Sequence, residues 1–255
     1  AAFLEYLFPQ VLEKSDAVTI DELPLGNVTV IPAGNLFFSR NGSIDLSDYV
    51  AGYNQRKHLI ICTQRDMVVG GNLTIYASSN PLAARSNHRN RGIILCAGDE
   101  LHFRSEYASR NSADYAHPEP ISLTSGVLNL GITSMDTLRL VNVNLETQGN
   151  LALHSLNEIH IGLYDEHKST FRFSGEAALS GQDLIQVNGL EFLGTPYARL
   201  PESSPVVTFK AQSINLKEVS FPENSQVLLF TRDGSLGFHT YPAPVVGAVN
   251  FENVY

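Results

Sequence analysis

The feature that most constrains this chain is a short pattern, apolar–variable–apolar after a polar turn, that returns along most of its length. It reads Leu73-Thr74-Ile75, Leu101-His102-Phe103, Leu138-Arg139-Leu140, Ile159-His160-Ile161, Ile185-Gln186-Val187, Ile214-Asn215-Leu216 and Leu236-Gly237-Phe238. A second set precedes most of these by one turn. It comprises Ile60-Ile61-Cys62, Ile94-Leu95-Cys96, Leu128-Asn129-Leu130, Leu151-Ala152-Leu153, Ala177-Ala178-Leu179, Val207-Thr208-Phe209 and Leu228-Leu229-Phe230. A fainter third set follows, in Val141-Asn142-Val143, Leu190-Glu191-Phe192, Val219-Ser220-Phe221 and Val249-Asn250-Phe251. Gly, Asn, Asp and Ser fill the gaps, as in Gly98-Asp99 and Gln148-Gly149-Asn150.

Period-two alternation over three to five residues is strand patterning. No ten-residue helical stripe separates the strands, which excludes βαβ folds. The same strand–turn–strand unit returns in the same direction, at offsets from 21 residues (Arg139 to His160) to 37 (His102 to Arg139). A unit of a little over twenty residues with unequal loop insertions predicts an all-β, single-stranded parallel β-helix of about eight coils. The rule for parallel crossovers makes it right-handed. Single coils cannot bury their apolar edge, whereas stacked coils share a continuous core. The domain reading is an N-terminal cap or docking segment over 1–25, then the β-helix over 26–255 with a long inserted loop at 77–91.

In the first segment Leu4, Leu7, Phe8, Val11 and Leu12 follow helical spacing, with Pro9 inside the stripe. A cap that hides an unpaired strand edge is one reading. Docking on a neighbouring subunit is the other, with Phe3, Leu4, Leu7 and Phe8 as its contacts. At the far end Val249 and Phe251 are the matching assembly candidates, on an edge without an obvious cap.

Cys62 and Cys96 are the two cysteines of the chain, and each closes an equivalent triplet. That register points both inward, one above the other. Column neighbours lie about 5 Å apart at Cα, which suits a disulfide. A buried cysteine also serves as a small apolar core residue. Both readings stay open.

Two surfaces are candidates for binding. Residues 56–91 hold Arg56, Lys57, Arg65, Arg85, Arg89 and Arg91 against Asp66, and the loop within them adds His88. Such a loop suits an acidic glycan or the acidic flank of another copy. It also suits plain solvation. The second candidate is an outward column of Thr74, His102, Arg139, His160, Gln186 and Asn215. His102, Arg139 and His160 in line would hydrogen-bond along an extended polymer, although outward positions are polar in any case. Asp165-Glu166-His167-Lys168 gathers four ionisable groups in one loop. The spacing His154 to His160 is not that of metal ligands. No metal, cofactor or catalytic set is predicted, and G-x-S-x-G, H-E-x-x-H, P-loop and G-x-G-x-x-G motifs are missing.

Composition narrows the partners. The formal net charge is −9, against a nucleic-acid ligand. No apolar run nears the roughly 18 residues of a membrane span. The start Ala1-Ala2-Phe3, few lysines and many Asn and Ser residues fit export after signal-peptide removal. Asn27-Val28-Thr29, Asn41-Gly42-Ser43 and Asn72-Leu73-Thr74 match the glycosylation acceptor pattern, or simply turn and strand composition.

Gly71-Asn72-Leu73-Thr74-Ile75-Tyr76 and Gly149-Asn150-Leu151-Ala152-Leu153 resemble repeat units of filamentous haemagglutinin-type adhesins and autotransporter passengers. The resemblance spans residues 58–251 and implies an extracellular or surface protein that works by shape and multivalent contact. The fold also resembles that of pectate lyases and polygalacturonases, but the polygalacturonase motifs and a lyase-type cluster of acids are absent. Thr74 and Thr208 do not form an ice-binding ladder. The expectation is therefore a secreted or cell-surface structural or adhesive protein, a homo-oligomer or homopolymer. A polysaccharide-binding or polysaccharide-degrading β-helix is the alternative.

Overall fold

A computed structural model describes residues 28–31, 36–38, 42–45, 59–63, 65–69, 73–76, 92–104, 120–125, 129–163, 166–196, 201–231 and 248–255. They form twenty-one strands and no helix. Every strand pairing among them is parallel. The fold is thus all-β with parallel sheets. The predicted 1–25 segment and the 77–91 loop lie outside the described residues.

The strands fall into three sets. The first is an eight-stranded sheet of β1 (Val28–Ile31), β4 (Leu59–Thr63), β7 (Gly92–Ala97), β10 (Asn129–Ser134), β13 (Leu151–Ser155), β16 (Glu176–Ser180), β18 (Val206–Ala211) and β20 (Gln226–Thr231), paired in that order. The second runs β2 (Leu36–Phe38), β5 (Met67–Val69), β8 (Leu101–Arg104), β11 (Thr137–Val141), β14 (Glu158–Gly162), β17 (Leu184–Thr195), β19 (Ser213–Ser220) and β21 (Ala248–Glu252). The third runs β3 (Gly42–Asp45), β6 (Leu73–Tyr76), β9 (Ile121–Ser125), β12 (Val143–Thr147) and β15 (Ser169–Ser174). The second and third sets merge because β17 is long. Its first half pairs with β14 and its second half with β15.

Alternation decides which side chains are buried. β13 reads buried–exposed–buried–exposed–buried, with Leu151, Leu153 and Ser155 inside. Stacked by register, Leu95, Ile132, Leu153, Leu179 and Phe209 make one inward column. Leu101, Leu138, Ile159, Ile185 and Ile214 make another. Each such side chain contributes about 1.5–3 kcal/mol of burial, so the columns dominate stability.

Two kinds of corner join the sets. The first-set strands end on Thr63, Ala97, Ser134 and Ser155, one register position and fully buried. The hydroxyls satisfy turn backbone that would otherwise be orphaned in the interior. Thr63 Oγ1 donates to the Arg65 carbonyl at 2.9 Å. Ser134 Oγ lies 2.6 Å from the Asp99 carbonyl and accepts from the Asp136 N–H at 3.2 Å. The second-to-third corner uses a left-handed residue: Asn142 at φ 52°, Gly189 at 77° and Glu218 at 52°. Asn and Gly tolerate that region well, whereas Glu218 is a costlier occupant.

Phe171, Phe173, Phe192, Phe209 and Phe221 form one aromatic cluster. Gly194 pairs with Phe173 in register and makes room for its ring. A Cβ at position 194 would sit 2.6 Å from Phe173 Cζ and 2.9 Å from Pro205 Cβ. Gly194→Ala is therefore expected to destabilise the protein by about 1–3 kcal/mol through overpacking. The shift in urea midpoint measures it, and an unchanged midpoint would mean that the ring moves freely.

Several registers differ from expectation. In the first set the aligned triplets are Leu59-Ile60-Ile61, Ile93-Ile94-Leu95, Leu130-Gly131-Ile132 and Val227-Leu228-Leu229. The expected Ile60–Cys62, Ile94–Cys96 and Leu228–Phe230 windows were one residue late, and Leu128–Leu130 was two early. A one-residue slip exchanges the two faces, and a run of uninterrupted apolar residues carries no alternation to prevent it. Cys96 accordingly occupies the parity of Thr133 and His154, not that of Leu95 and Ala97. Val249-Asn250-Phe251 belongs to the second set, paired with Ile214-Asn215-Leu216. Leu236-Gly237-Phe238 lies outside the described residues.

Candidate functional site

The second-set strands place His102, Arg139, His160, Gln186, Asn215 and Asn250 at one register position, directly following one another across the sheet. From His102 to Asn215 the apolar neighbours on either side of each residue are buried, which turns this column outward. The row is positioned by the turns before it. The Asp136 N–H donates to the Asp99 carbonyl at 3.0 Å, the Asn157 N–H to Asp136 at 3.1 Å and the Asp183 N–H to Asn157 at 2.9 Å. That ladder carries the sheet register through the turn, so successive rows start in step. Asn157 Nδ2 also donates to Asp136 Oδ1.

Thr74 is not in the row. It sits on β6, opposite Thr124 of β9. Its alternating context is the same as that of the row residues, and only the pairing separates the two sets.

Two carboxylates absent from the predicted column complete it. Glu100 Oε2 lies 2.6 Å from His102 Nε2, and Glu158 Oε2 lies 2.6 Å from His160 Nε2. Residues i and i+2 of a strand share a face, so Glu-x-His twice over, in Glu100-Leu101-His102 and Glu158-Ile159-His160, was the available signal. Arg139 stands between the two pairs, its Nε 4.0 Å from Glu100 Oε2. Its side chain is 42 % exposed, whereas that of His102 is 15 % exposed. The His102 Nδ1 atom is buried without a hydrogen-bond partner.

A carboxylate beside an imidazole is the pairing used in acid–base chemistry. Here it also satisfies two ring nitrogens on a strand surface. The row carries one guanidinium, two imidazoles and two carboxylates. Beyond Gln186 the row closes on itself, where Asn250 Nδ2 donates to Asn215 Oδ1 at 2.6 Å. Two register positions on, Lys217 Nζ meets Glu252 Oε1 at 2.8 Å. The Glu252 carboxylate raises the Lys217 pKa above its ordinary value of 10.5, by hydrogen bond first and by charge second.

His154 is exposed on the first-set sheet, apart from the row. Of Asp165, Glu166, His167 and Lys168, Asp165 lies outside the described residues, and Lys168 Nζ lies 3.9 Å from Glu218 Oε2. Arg85, His88, Arg89 and Arg91 lie outside the described residues, as do Phe3, Leu4, Leu7 and Phe8. Phe251 is 57 % exposed. Phe230 on β20 is 51 % exposed, and Val227 and Leu228 beside it are also exposed. Among the described residues no strand pairs with the outer edges of β20 and β21. Nor is any described helix long and apolar enough to cross a membrane.

Comparison with protein-family models, curated proteins and solved structures finds no match to this chain.

Proposed function

We propose that the chain is a secreted or cell-surface, single-stranded right-handed parallel β-helix of about eight coils. Its role is structural or adhesive, and it assembles with copies of itself. Three strand sets, each paired in parallel in chain order, support the coil reading. The observation that carries self-assembly is the exposed apolar group of Val227, Leu228, Phe230 and Phe251 on β20 and β21. Large apolar side chains beside strand edges that no described strand pairs form a template for further strands. Because all strands run parallel, one end pairs with the opposite end of the next copy. Such a heterologous contact builds open filaments rather than closed dimers.

Sedimentation velocity over a concentration series tests the assembly. The wild-type chain is expected to form species that grow with concentration, and Phe230→Asp with Phe251→Asp is expected to stay monomeric. A wild-type chain that remains one monomeric rod at high concentration overturns the reading.

The runner-up is a polysaccharide-binding or polysaccharide-degrading β-helix, favoured by Arg139 set between two His–Glu pairs. The hydrogen-bonding groups of that row suit sugar hydroxyls. An acidic glycan would instead fall to Arg85, His88, Arg89 and Arg91. Incubation with a panel of neutral and acidic glycans separates the cases. Product formation lost in Arg139→Ala or His160→Ala would replace the structural reading with an enzymatic one. Retention without turnover would make the protein a binding module.

A further inference from the structure

We propose that Cys62 and Cys96 form an intrachain disulfide that clasps β4 to β7. The two cysteines are the whole thiol complement of the chain, and they are direct Cα partners on adjacent parallel strands. In-register neighbours in a parallel sheet lie about 4.8 Å apart. That separation falls within the roughly 4.4–6.8 Å that a disulfide spans between Cα atoms.

The register also bears on the competing explanation for the pair. A cysteine among core aliphatics needs no further role, being a small apolar side chain. The core positions at this point of β7 belong to Leu95 and Ala97, both fully buried. Cys96 has the opposite parity, in line with Thr133 and His154, and Cys62 shares its position. The register thus sets the two cysteines side by side, out of phase with the core columns. Cys96 is nevertheless only 6 % exposed, so the bond forms as the strands pair.

Joining two cysteine thiols requires a two-electron oxidation. A small-molecule or protein disulfide supplies it. One cysteine thiolate attacks that disulfide, forming a mixed disulfide and expelling one thiolate. The second cysteine then attacks the mixed disulfide, expelling the other. The protein loses two hydrogens and the oxidant becomes two thiols. An oxidising, extracellular setting favours this outcome. The clasp does not depend on self-assembly and stands or falls separately from it.

The test is peptide mapping of full-length protein refolded in a mixture of reduced and oxidised glutathione. The protein is alkylated in denaturant without reduction, digested and weighed. The expected product is one peptide pair joining Cys62 to Cys96, lighter by two hydrogens than its parts and split by dithiothreitol. Alkylation of both cysteines overturns the proposal, and so does a stable mixed disulfide with glutathione or a bridge between chains. The thermal midpoint of the oxidised wild type is expected to fall by several degrees on reduction. The Cys62→Ser, Cys96→Ser chain is expected to ignore the reductant. An equal response in both overturns a stabilising clasp.

Discussion

Replacing Phe192 by Ala is expected to cost about 3–5 kcal/mol. Phe192 is buried on the third-set half of β17 and touches four other rings. It meets Phe171 edge-on at 5.7 Å and Phe173 at 6.4 Å, both from β15. It meets Phe209 of β18 edge-on at 5.8 Å and stacks on Phe221 at 5.4 Å. Edge-to-face and stacked pairs add roughly 0.5–1.5 kcal/mol each beyond area burial. Losing the central ring therefore removes burial and several pair terms together, and it opens a cavity between two strand sets. The backbone of a parallel sheet cannot collapse into that cavity, because its spacing is held by hydrogen bonds on both sides. Urea denaturation with an unchanged slope measures the cost. A loss below about 1 kcal/mol would mean that the cluster repacks, placing it outside the range known for such truncations. Phe230→Ala, at a half-exposed position, is the control and is expected to cost far less.

A pair of aspartates at adjacent positions is expected to give opposite results. Ile185→Asp places a carboxylate in the fully buried second-set column, between Ile159 and Ile214. An unpaired carboxyl there costs several kcal/mol even in its neutral, protonated form. Expression of folded protein should be lost, or the unfolding free energy should drop by more than about 4 kcal/mol. Gln186→Asp changes the next residue, on the exposed face between His160 and Asn215. Its effect should remain within about 0.5 kcal/mol, as for most surface substitutions. Circular dichroism and denaturant midpoints compare the two. Equal damage from both would contradict the register of β17.

The same contrast explains what could be read before the fold was known. Leu138-Arg139-Leu140 and Ile159-His160-Ile161 announce their inward and outward faces, because a charged residue between two apolar ones allows one orientation in a half-buried strand. Their pairing in register follows. Ile93-Ile94-Leu95-Cys96 carries no such mark. Its register comes from the neighbouring β10, where Gly131 and Thr133 identify the outer face. The parity of Cys96 was decided there. Thr74 and Val249 belong to other sets than their triplets predict, for a related reason. Their triplets are as good as any other, and only the strand that each one meets distinguishes them.

The candidate row was legible as a list of residues but not as a chemical arrangement. Strand alternation already places Glu100 on the face of His102 and Glu158 on that of His160. The 2.6 Å contacts and the position of Arg139 between the pairs depend on which strands are neighbours. The left-handed corners divide in the same way. Asn142 and Gly189 are residues that accept positive φ, whereas Glu218 adopts it because the strands on either side require a turn there.

Sequence alone determined that this chain forms many short strands, that they pair in parallel, and which side chains in alternating segments make the core. Those properties follow from local patterning, since a period of two and a recurring turn are written in consecutive residues. The tertiary structure decided register within apolar runs, the set to which each triplet belongs, and the meeting of Cys62 with Cys96 and of Arg139 with Glu100. These depend on contacts between residues 34 to 39 positions apart, and a strand's choice of neighbour is made by the whole stack at once.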